Sequence, residues 1–544
     1  LQAYEEEKRR QAALDFDDLV AEAVRLLEGP YGQDVRSLLA AEIRHLLVDE
    51  FQDTDPKQVR LIELLCGNEL RQGKLFFVGD YKQSIYRFRG ARPEEFHRLR
   101  SNTPPAGRMS LTFNFRSQPG ILDFVNALFC GELGPEYEPL RPHRPQVNPN
   151  PIVEFLWARV PAQDAPAHES EESEEFEEPS QAETEGSEQA KEEIRRREAD
   201  WIARRIRQLL DTGQPLVRDE EAAQQGQERL RPPQPGDIAI LFRALSNIQI
   251  YEEALRQYEI PYYLVGGHAF YAQQEIYDVL NLLRAIQSPQ DDVALVGVLR
   301  SPFFNLHDET LYWLARSGAQ QGGGLWAGLC AQRLPAELEP AQRRRVRFAA
   351  ATLQQLRSRK DCLPIAELIQ EALHRTGYDA ALLAEFLGER KLANLEKLID
   401  LARSMDETGL FSLADFIVQL SEFVARQPKE PLAATFPETS QVVRLMTIHQ
   451  AKGLEFPIVI VADLGRQNRQ NRQPAALHPD YGPLLKPPAD MEKVTFWDIY
   501  WQQEEIADLQ EHMRIFYVAT TRAADYLILS TGWGKDTLKS PWMA

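Results

Sequence analysis

Cysteine is scarce in this chain: Cys66, Cys130, Cys330 and Cys362 are its four, far apart and without a Cys-x-x-Cys pair. That spacing supports neither a disulfide framework nor a zinc or iron–sulfur centre, and four buried thiols are expected. Long apolar runs are missing as well. No stretch approaches the ~20 residues that a membrane-spanning helix needs, and Leu1 to Arg10 is charged where a secretory signal would be apolar. A cytoplasmic protein with no membrane partner is expected. There is no basic excess either, since 62 Lys and Arg stand against 82 Asp and Glu for a net charge of −20. Such a balance argues at first against a nucleic-acid partner, because phosphate binding usually shows as a basic surface. The acidity is concentrated, however. Asp164 to Glu193 holds 13 acidic residues against one Lys, a net of −12, which leaves −8 for the rest of the chain. A mildly acidic protein can still line one channel with Lys and Arg. The acidic run is rich in Glu, Ser, Gln and Pro and nearly free of aromatics, the composition of a segment that cannot bury enough surface to fold. It reads as a disordered insertion over about 163–193.

A phosphate-cradling loop is also absent. Such a loop needs a Gly-rich turn, a Lys and a Ser or Thr opening a helix. The two Gly-Lys pairs, Gly73-Lys74 before Leu75 and Gly534-Lys535 before Asp536, carry neither the spaced upstream glycine nor the hydroxyl.

What is present is the balance of a soluble globular protein, 43% hydrophobic and 26% charged over 544 residues, long enough for several packed domains. Leu19, Val20, Ala23, Leu26 and Leu27 recur at helical spacing, which predicts an amphipathic helix over Asp17 to Leu27. Strand signals follow at Leu46 to Val48, Leu75 to Val78, Leu111 to Phe113, Ile238 to Phe242, Pro457 to Ala462 and Tyr526 to Leu529. With helices between them, the plan is α/β with two parallel sheets. Few strand signals and many Leu/Ala periodic segments from about Ser288 to Glu438, such as Ile365 to Leu373 behind Pro364 and Leu392 to Leu401, predict a helical insertion. No repeat of fixed period is visible.

Chemistry gathers in a few segments. His45-Leu46-Leu47-Val48 runs into Asp49-Glu50-Phe51-Gln52-Asp53-Thr54, a strand that presents carboxylates at a sheet's carboxyl edge, where α/β proteins bind ligands. One carboxylate there can hold Mg²⁺ while its neighbour orients a water; the plainer reading is a solvated turn. A second strand leads into Gly79-Asp80-Tyr81-Lys82-Gln83-Ser84-Ile85-Tyr86-Arg87-Phe88-Arg89-Gly90. Further on come Leu111-Thr112-Phe113-Asn114-Phe115-Arg116-Ser117, then Thr447-Ile448-His449-Gln450-Ala451-Lys452-Gly453-Leu454-Glu455-Phe456, and last Tyr517-Val518-Ala519-Thr520-Thr521-Arg522. Five segments in this order resemble the later motifs of the superfamily I helicases of the UvrD/Rep type. The wording of Leu14-Asp15-Phe16-Asp17-Asp18-Leu19 and of Lys82-Gln83-Ser84-Ile85-Tyr86 is closest to the RecB and AddA helicase-nuclease subunits.

The resemblance implies two RecA-like lobes, the first incomplete. Residues 1–108 would be the C-terminal part of the first lobe; 109–287 and 441–544 would form the second, interrupted by a helical subdomain at 288–440. It implies ATP and Mg²⁺, with Asp49 as metal ligand, Glu50 as general base and Gln83 as a sensor of the γ-phosphate. Arg116 and Arg522 would be arginine fingers, since a planar fork of donors matches phosphate oxygens; either one as an ordinary salt-bridge residue is the rival. Phe115 would stack on adenine, and Gly453 and Glu455 would help bind the nucleotide, Glu455 at the ribose. Single-stranded DNA would meet Tyr86, Phe88 and Arg89 from one lobe and Thr447 and His449 from the other, bases stacking on aromatics at ~1–3 kcal/mol each. On an extended segment Tyr86 and Phe88 would share one face, with Arg87 and Arg89 on the other. Phe88 as a core residue and His449 as a satisfied buried histidine are the structural rivals.

The function so implied is an ATP-dependent 3′→5′ DNA helicase or translocase acting on single strands and duplex ends in recombinational repair, its possible partner being a second helicase/nuclease subunit. Relatives carry a phosphate loop before the Asp-Glu strand, so a fragment lacking that segment and inactive alone is expected, and a natural protein that dispenses with ATP is the rival. No nuclease module is read before Ala544. A non-catalytic scaffold that binds single strands or a partner, and an NTP-sensing switch without translocation, are the alternative functions. For the acidic insertion the alternative is a decoy that competes with DNA.

Overall fold

The computed structural model of the chain describes residues 2–543 apart from 68–72, 136, 160–180, 266–269, 410–411, 427–440, 467–473, 479–480, 488–494 and 535–536. Two compact units result, one of Leu1–Tyr262 with Val442–Ala544 and one of Tyr263–Gln441. The first is α/β and holds the sheets of two RecA-like lobes.

In the first lobe β1 (Leu46–Val48) and β2 (Leu75–Phe77) pair in parallel, Leu46 opposite Leu75 and Val48 opposite Phe77. Because side chains alternate along a strand, Leu46, Val48, Leu75 and Phe77 pack on Phe51, Val59, Ile62, Phe96 and Leu99, while Leu47 and Phe76 face outward. The helix Pro56–Cys66 starts on a capping box at Asp55, with Pro56 at its first position. The amphipathic helix spans Phe16–Glu28, capped by Asp15. Among the described residues β3 (Phe113–Asn114) pairs only with β4 (Arg141–Pro142), so the strand expected at Leu111 is shorter, and Met109 and Leu111 are exposed.

The second lobe adds β5 (Val153–Arg159), an antiparallel pair of β6 (Val217–Arg218) and β7 (Leu230–Arg231), β8 (Ile238–Phe242), β9 (Tyr262–Leu264), β10 (Val443–Thr447), β11 (Phe456–Val461), a hairpin of β12 (Ala475–His478) and β13 (Gly482–Leu485), and β14 (Ala523–Trp533). Six of these form one sheet in the order β5-β14-β11-β8-β10-β9, parallel in every pairing from β5 to β10. β8 is buried along its whole length, Ile240 lying opposite both Leu445 and Ile460, as expected of a continuous apolar run covered on both faces. Its last residue, Phe242, is level with Thr447, so the loops after β8 and β10 open on one edge of the sheet.

Two expectations need correction. The helix Gln181–Thr212 occupies 181–193, where the sequence suggested disorder; Ala, Gln, Glu and Lys are strong helix formers, and Glu192 and Glu193 pair one turn on with Arg196 and Arg197. The rest of that insertion, 163–180, lies outside the described residues. Of the cysteines only Cys66 is buried; Cys330 is half-buried, and Cys130, near the end of the helix Pro119–Glu132, and Cys362, in the turn before the helix Ile365–Thr376, are exposed.

The second unit is built of helices, from Gln274–Gln287 to Leu413–Arg426, around a core that includes Leu282, Leu299, Leu314, Ile369 and Leu398. Ile365–Thr376 opens behind Pro364, and Gly388–Thr408 covers the Leu392 to Leu401 segment. Among the described residues no helix is long and apolar enough to cross a membrane.

Candidate functional site

β1 ends by delivering Asp49 and Glu50 to an exposed turn in which Glu50 adopts the left-handed conformation, φ 50°, ψ 39°. The Asp49 carboxylate accepts the Glu50 N–H at 2.8 Å, which holds the two acids side by side. Gln52, fully buried, joins this turn to the next: its amide donates to Glu50, its Oε1 accepts the Asp80 N–H at 2.9 Å, and its carbonyl accepts the Ser84 hydroxyl at 2.9 Å. Gly79 is required by this approach, because a Cβ there would lie 2.7 Å from Gln52 Oε1 and 3.0 Å from the Phe96 ring. Asp53 pairs with Lys452 from the second lobe; burial raises its carboxyl above the ordinary range, Lys452 works against that, and Glu50 adds to it.

The two arginines meet in the cleft between the lobes. Arg522, 2% exposed, donates to the carbonyls of Val518 and Leu454 at 3.1 Å each and reaches the Gln83 side chain at 3.4 Å. Burial and then the charge of Arg116 push its guanidinium down to about 10. Arg116 donates to Glu455 at 2.7 Å and to the Thr521 carbonyl at 3.1 Å. Asn114 fixes the loop by accepting the N–H groups of Arg116 and Ser117 at 2.9 and 2.8 Å. Behind it Arg144 donates to the Arg116 carbonyl and forms a buried ion pair with Asp525 at 2.7 Å. Phe115 is exposed with its ring 4.5 Å from that of His143. Gly453 has φ 83°, which a side chain would strain, and Glu455 is more than half exposed beside Arg116. Glu50, Gln83, Arg116, Glu455 and Arg522 thus line one cleft. Two guanidinium groups held next to each other, one buried and short of counter-charge, fit an anion such as a polyphosphate. Asp49 and Glu50 fit a Mg²⁺ bound through one or two carboxylates together with phosphate oxygens.

From Gln83 onward, five successive residues touch the second lobe. Lys452 donates to the Gln83 carbonyl at 2.8 Å, Arg514 to that of Ser84 at 2.7 Å, and the His449 ring nitrogen lies 3.1 Å from that of Ile85. Tyr86 donates to the His449 carbonyl at 3.4 Å, and the Arg87 N–H to Glu511 at 3.1 Å. Residues 87–89 then form a 3₁₀ turn closed by Gly90 at φ 87°, not the extended segment expected. The turn sets Arg89 beside the aromatics instead of opposite them, 5.0 Å from the Tyr86 ring and 5.6 Å from Phe88. Phe88 is 69% exposed, so it is no core residue; its ring stands 5.9 Å from Tyr86 and 5.6 Å from His449. Burial, opposed by the Ile85 carbonyl, holds the His449 imidazole below its ordinary range and hence neutral near pH 7. Thr447 caps the helix Ile448–Ala451, its hydroxyl accepting the Gln450 N–H at 3.2 Å. In this structure, then, Thr447 and His449 are engaged within the protein.

Several site residues escaped the sequence reading. Lys452 and Asp53 lie inside quoted segments, but 399 positions separate them. Arg243 follows β8 directly, the same strand-end rule that singled out Arg116, and could have been found by it. It stands near the Trp542 ring, has no ion-pair partner among the described residues, and is pushed down to about 10 by burial and by Arg466.

Comparison with known proteins bears on this geometry. Residues 1–104 match the UvrD/REP helicase N-terminal domain, and residues 109–323 and 344–532 match the UvrD-like helicase C-terminal domain. The AddA polypeptide of the ATP-dependent helicase/nuclease of Listeria welshimeri is 31% identical over 551 residues, covering 96% of this chain and 42% of that protein. Its counterpart in Exiguobacterium sibiricum is 32% identical over 556 residues (97% and 43%), and that in Anoxybacillus flavithermus 30% over 579 (100% and 44%). The chain thus spans less than half the length of these curated relatives. Matched in both its lobes, and folded so that the matched motifs face one cleft, the chain belongs to the UvrD-like helicase family.

Proposed function

We propose that the chain is the motor part of an ATP-dependent DNA helicase or translocase that moves 3′→5′ on single strands from duplex ends in recombinational repair, its partner being a second helicase/nuclease subunit. Residues 1–108 belong in this reading to the first lobe and 109–287 with 441–544 to the second, 288–440 being the helical insertion; the compact helical unit itself begins earlier, at Tyr263, and takes in the helix Gln274–Gln287. The observation that carries the proposal is the continuity of the segment after Gln83: Gln83 itself meets Arg522, and Tyr86 and Phe88 just beyond it carry the stacking surface. A change in how the lobes close on a nucleotide is thereby passed along a few residues of backbone to the grip on DNA.

The chain's own groups have separate tasks. Arg116 and Arg522 neutralise phosphate charge without shedding a proton at working pH. Glu50, exposed and tethered by Gln52, positions the attacking water, and Gln83 bridges Asp80 and Arg522 at 3.0 and 3.4 Å. Mg²⁺, when bound at Asp49, supplies charge neutralisation to the phosphates. Phe88 and Tyr86 offer sequence-tolerant stacking, while Arg89 and Arg243 supply positive charge to the phosphate backbone.

The test is ATP hydrolysis stimulated by single strands, measured for this chain and for a form extended upstream in its gene to include a Gly-Lys-Ser/Thr loop. Turnover confined to the extended form, and abolished there by Glu50→Gln, upholds the reading. DNA binding without turnover in both forms replaces the motor by a scaffold.

A further inference from the structure

Arg87 lies between two residues of the stacking surface yet points away from it. Its main-chain N–H donates to Glu511 at 3.1 Å, and its guanidinium reaches Asp508 and Glu504 at 2.6 Å each. The three acids sit on the helix Phe496–Thr520 at spacings of four and three, one ridge facing the first lobe. The ion pair is largely shielded from solvent, its side chains being 28% exposed for Arg87, 32% for Glu504 and 31% for Asp508. On the other side of the 3₁₀ turn, Arg89 stacks over Tyr86 and Phe88. The turn is therefore held from behind by carboxylates and presents rings and one cation in front.

Resting on the single-strand reading above, we propose that Arg87 is a positioning residue, clasped by Glu504, Asp508 and Glu511, which fixes the turn that carries Phe88 and so sets the geometry of base stacking without touching DNA. Three features of the site support this. The guanidinium already holds two carboxylates, Asp508 through Nη1 and Glu504 at Nη2, so a phosphate would have to compete with both charges. The turn itself is closed by the Arg89 N–H to Tyr86 carbonyl, Gly90 N–H to Arg87 carbonyl and Ala91 N–H to Tyr86 carbonyl bonds, at 2.9, 2.8 and 3.3 Å, and a 3₁₀ turn of three residues is weak alone. Phe88, 69% exposed, has little packing of its own to fix its ring.

The clasp makes a prediction of unusual sign. Removing negative charge beside a DNA-binding surface ordinarily strengthens binding. Here Glu504→Gln/Asp508→Asn should weaken it, by about tenfold, which is about the loss expected for one stacked base. Arg87→Gln should give the same loss, and the triple variant no more than either, because both break one contact set. The probe is an oligothymidylate carrying one 2-aminopurine, whose fluorescence reports stacking, titrated against the 544-residue chain over a series of salt concentrations. The salt slope should match that of the unsubstituted chain in every variant. A slope reduced by about 0.7 in Arg87→Gln would make Arg87 a phosphate contact, and tighter binding by Glu504→Gln/Asp508→Asn would make the acids a repulsive rim; either overturns the clasp. Hydrogen exchange without DNA separates the clasp from the DNA reading. Faster exchange at the Arg87, Arg89 and Gly90 amides in both variants upholds the clasp even if the unsubstituted chain fails to bind the oligonucleotide, a failure that would count against the single-strand reading alone. Unchanged exchange overturns the clasp.

Discussion

Asparagine in place of Asp525 should cost the larger unit about 3–5 kcal/mol, the usual loss when one partner of a buried ion pair is removed and the other stays charged. The size follows from the surroundings. The Asp525 and Arg144 side chains are 2% and 6% exposed and lie 2.7 Å apart. Asp525 Oδ1 also accepts from the Gln118 amide at 2.9 Å, and Oδ2 accepts the Arg218 N–H at 2.9 Å. An amide has one accepting atom, so whichever way it turns, its NH₂ faces a donor, and Arg144 is left without counter-charge. Arg144→Met should couple to Asp525→Asn by about 2–3 kcal/mol in a double-mutant cycle, because the two report on one contact. Hydrogen-exchange protection of the β14 amides is the assay, since that strand lies inside the sheet and its protection tracks the unfolding of this unit rather than of the helical one. A loss below about 1 kcal/mol for Asp525→Asn would refute the reasoning, since it would mean that Arg144 finds water or another partner. The pair also matters for the cleft: Arg144 holds the Arg116 carbonyl, so the same substitution should loosen the loop that aims Arg116.

Three further outcomes can be read directly. Burial, and then the charge of the neighbouring Asp463, hold the Glu198 carboxyl well above the ordinary carboxylate range, and burial raises Asp463 as well, so the two titrate as a pair. A folded-state value raised in this way makes the protonated form the stabilising one, so stability should fall as pH rises from the ordinary carboxylate range through the raised one, and Glu198→Gln should flatten a plot of melting temperature against pH. Gly79→Ala should cost about 1–3 kcal/mol in urea unfolding, because its Cβ meets a Gln52 side chain that is buried and bonded and cannot swing away. Tyr378→Phe should destabilise the helical unit by about 1–3 kcal/mol, leaving the Asp278 oxygen that accepts the hydroxyl at 2.9 Å bare, while the ring keeps its stack on Phe303 at 3.8 Å; calorimetry of that unit's transition checks it.

Much of the fold was legible because apolar runs bounded by turns have few other uses. Ile238 to Phe242 is β8 residue for residue, and the Asp49-Glu50 turn follows β1 as its strand signal suggested. What failed to show were features set by distant partners or by a single backbone angle. Alternation placed Arg89 opposite Phe88, and a left-handed Gly90 closing a 3₁₀ turn brought them together. Composition suggested disorder up to Glu193, but composition averages over a segment, whereas the last acidic residues continue a helix anchored by buried Ile202, Ile206 and Leu209. Alternation also set Arg87 on one face with Arg89, and nothing local separates the two, because the carboxylates that turn Arg87 away stand more than 400 positions along the chain.

The contacts that join the two lobes have a consequence for any communication between nucleotide and DNA. Along Gln83, Ser84 and Ile85 the first lobe contributes main-chain carbonyls, which every residue type carries, and the second lobe contributes the side chains of Lys452, Arg514 and His449. At these three carbonyls the side-chain identity comes from the second lobe, while the first lobe adds its own side chains on either side of them, Asp53 and Gln83 before and Arg87 after. Arg514, buried, and held below its ordinary range by that burial, bears its charge there at a cost that the Ser84 carbonyl at 2.7 Å partly offsets. Were the lobes to part, water would take up both the donor and the carbonyl, whereas closing would have to recover the same alignment at three successive carbonyls. Three hydrogen bonds that formed or broke together would make such closure cooperative over a span of three residues, and that span begins at the residue facing Arg522 and ends one before the Tyr86 ring.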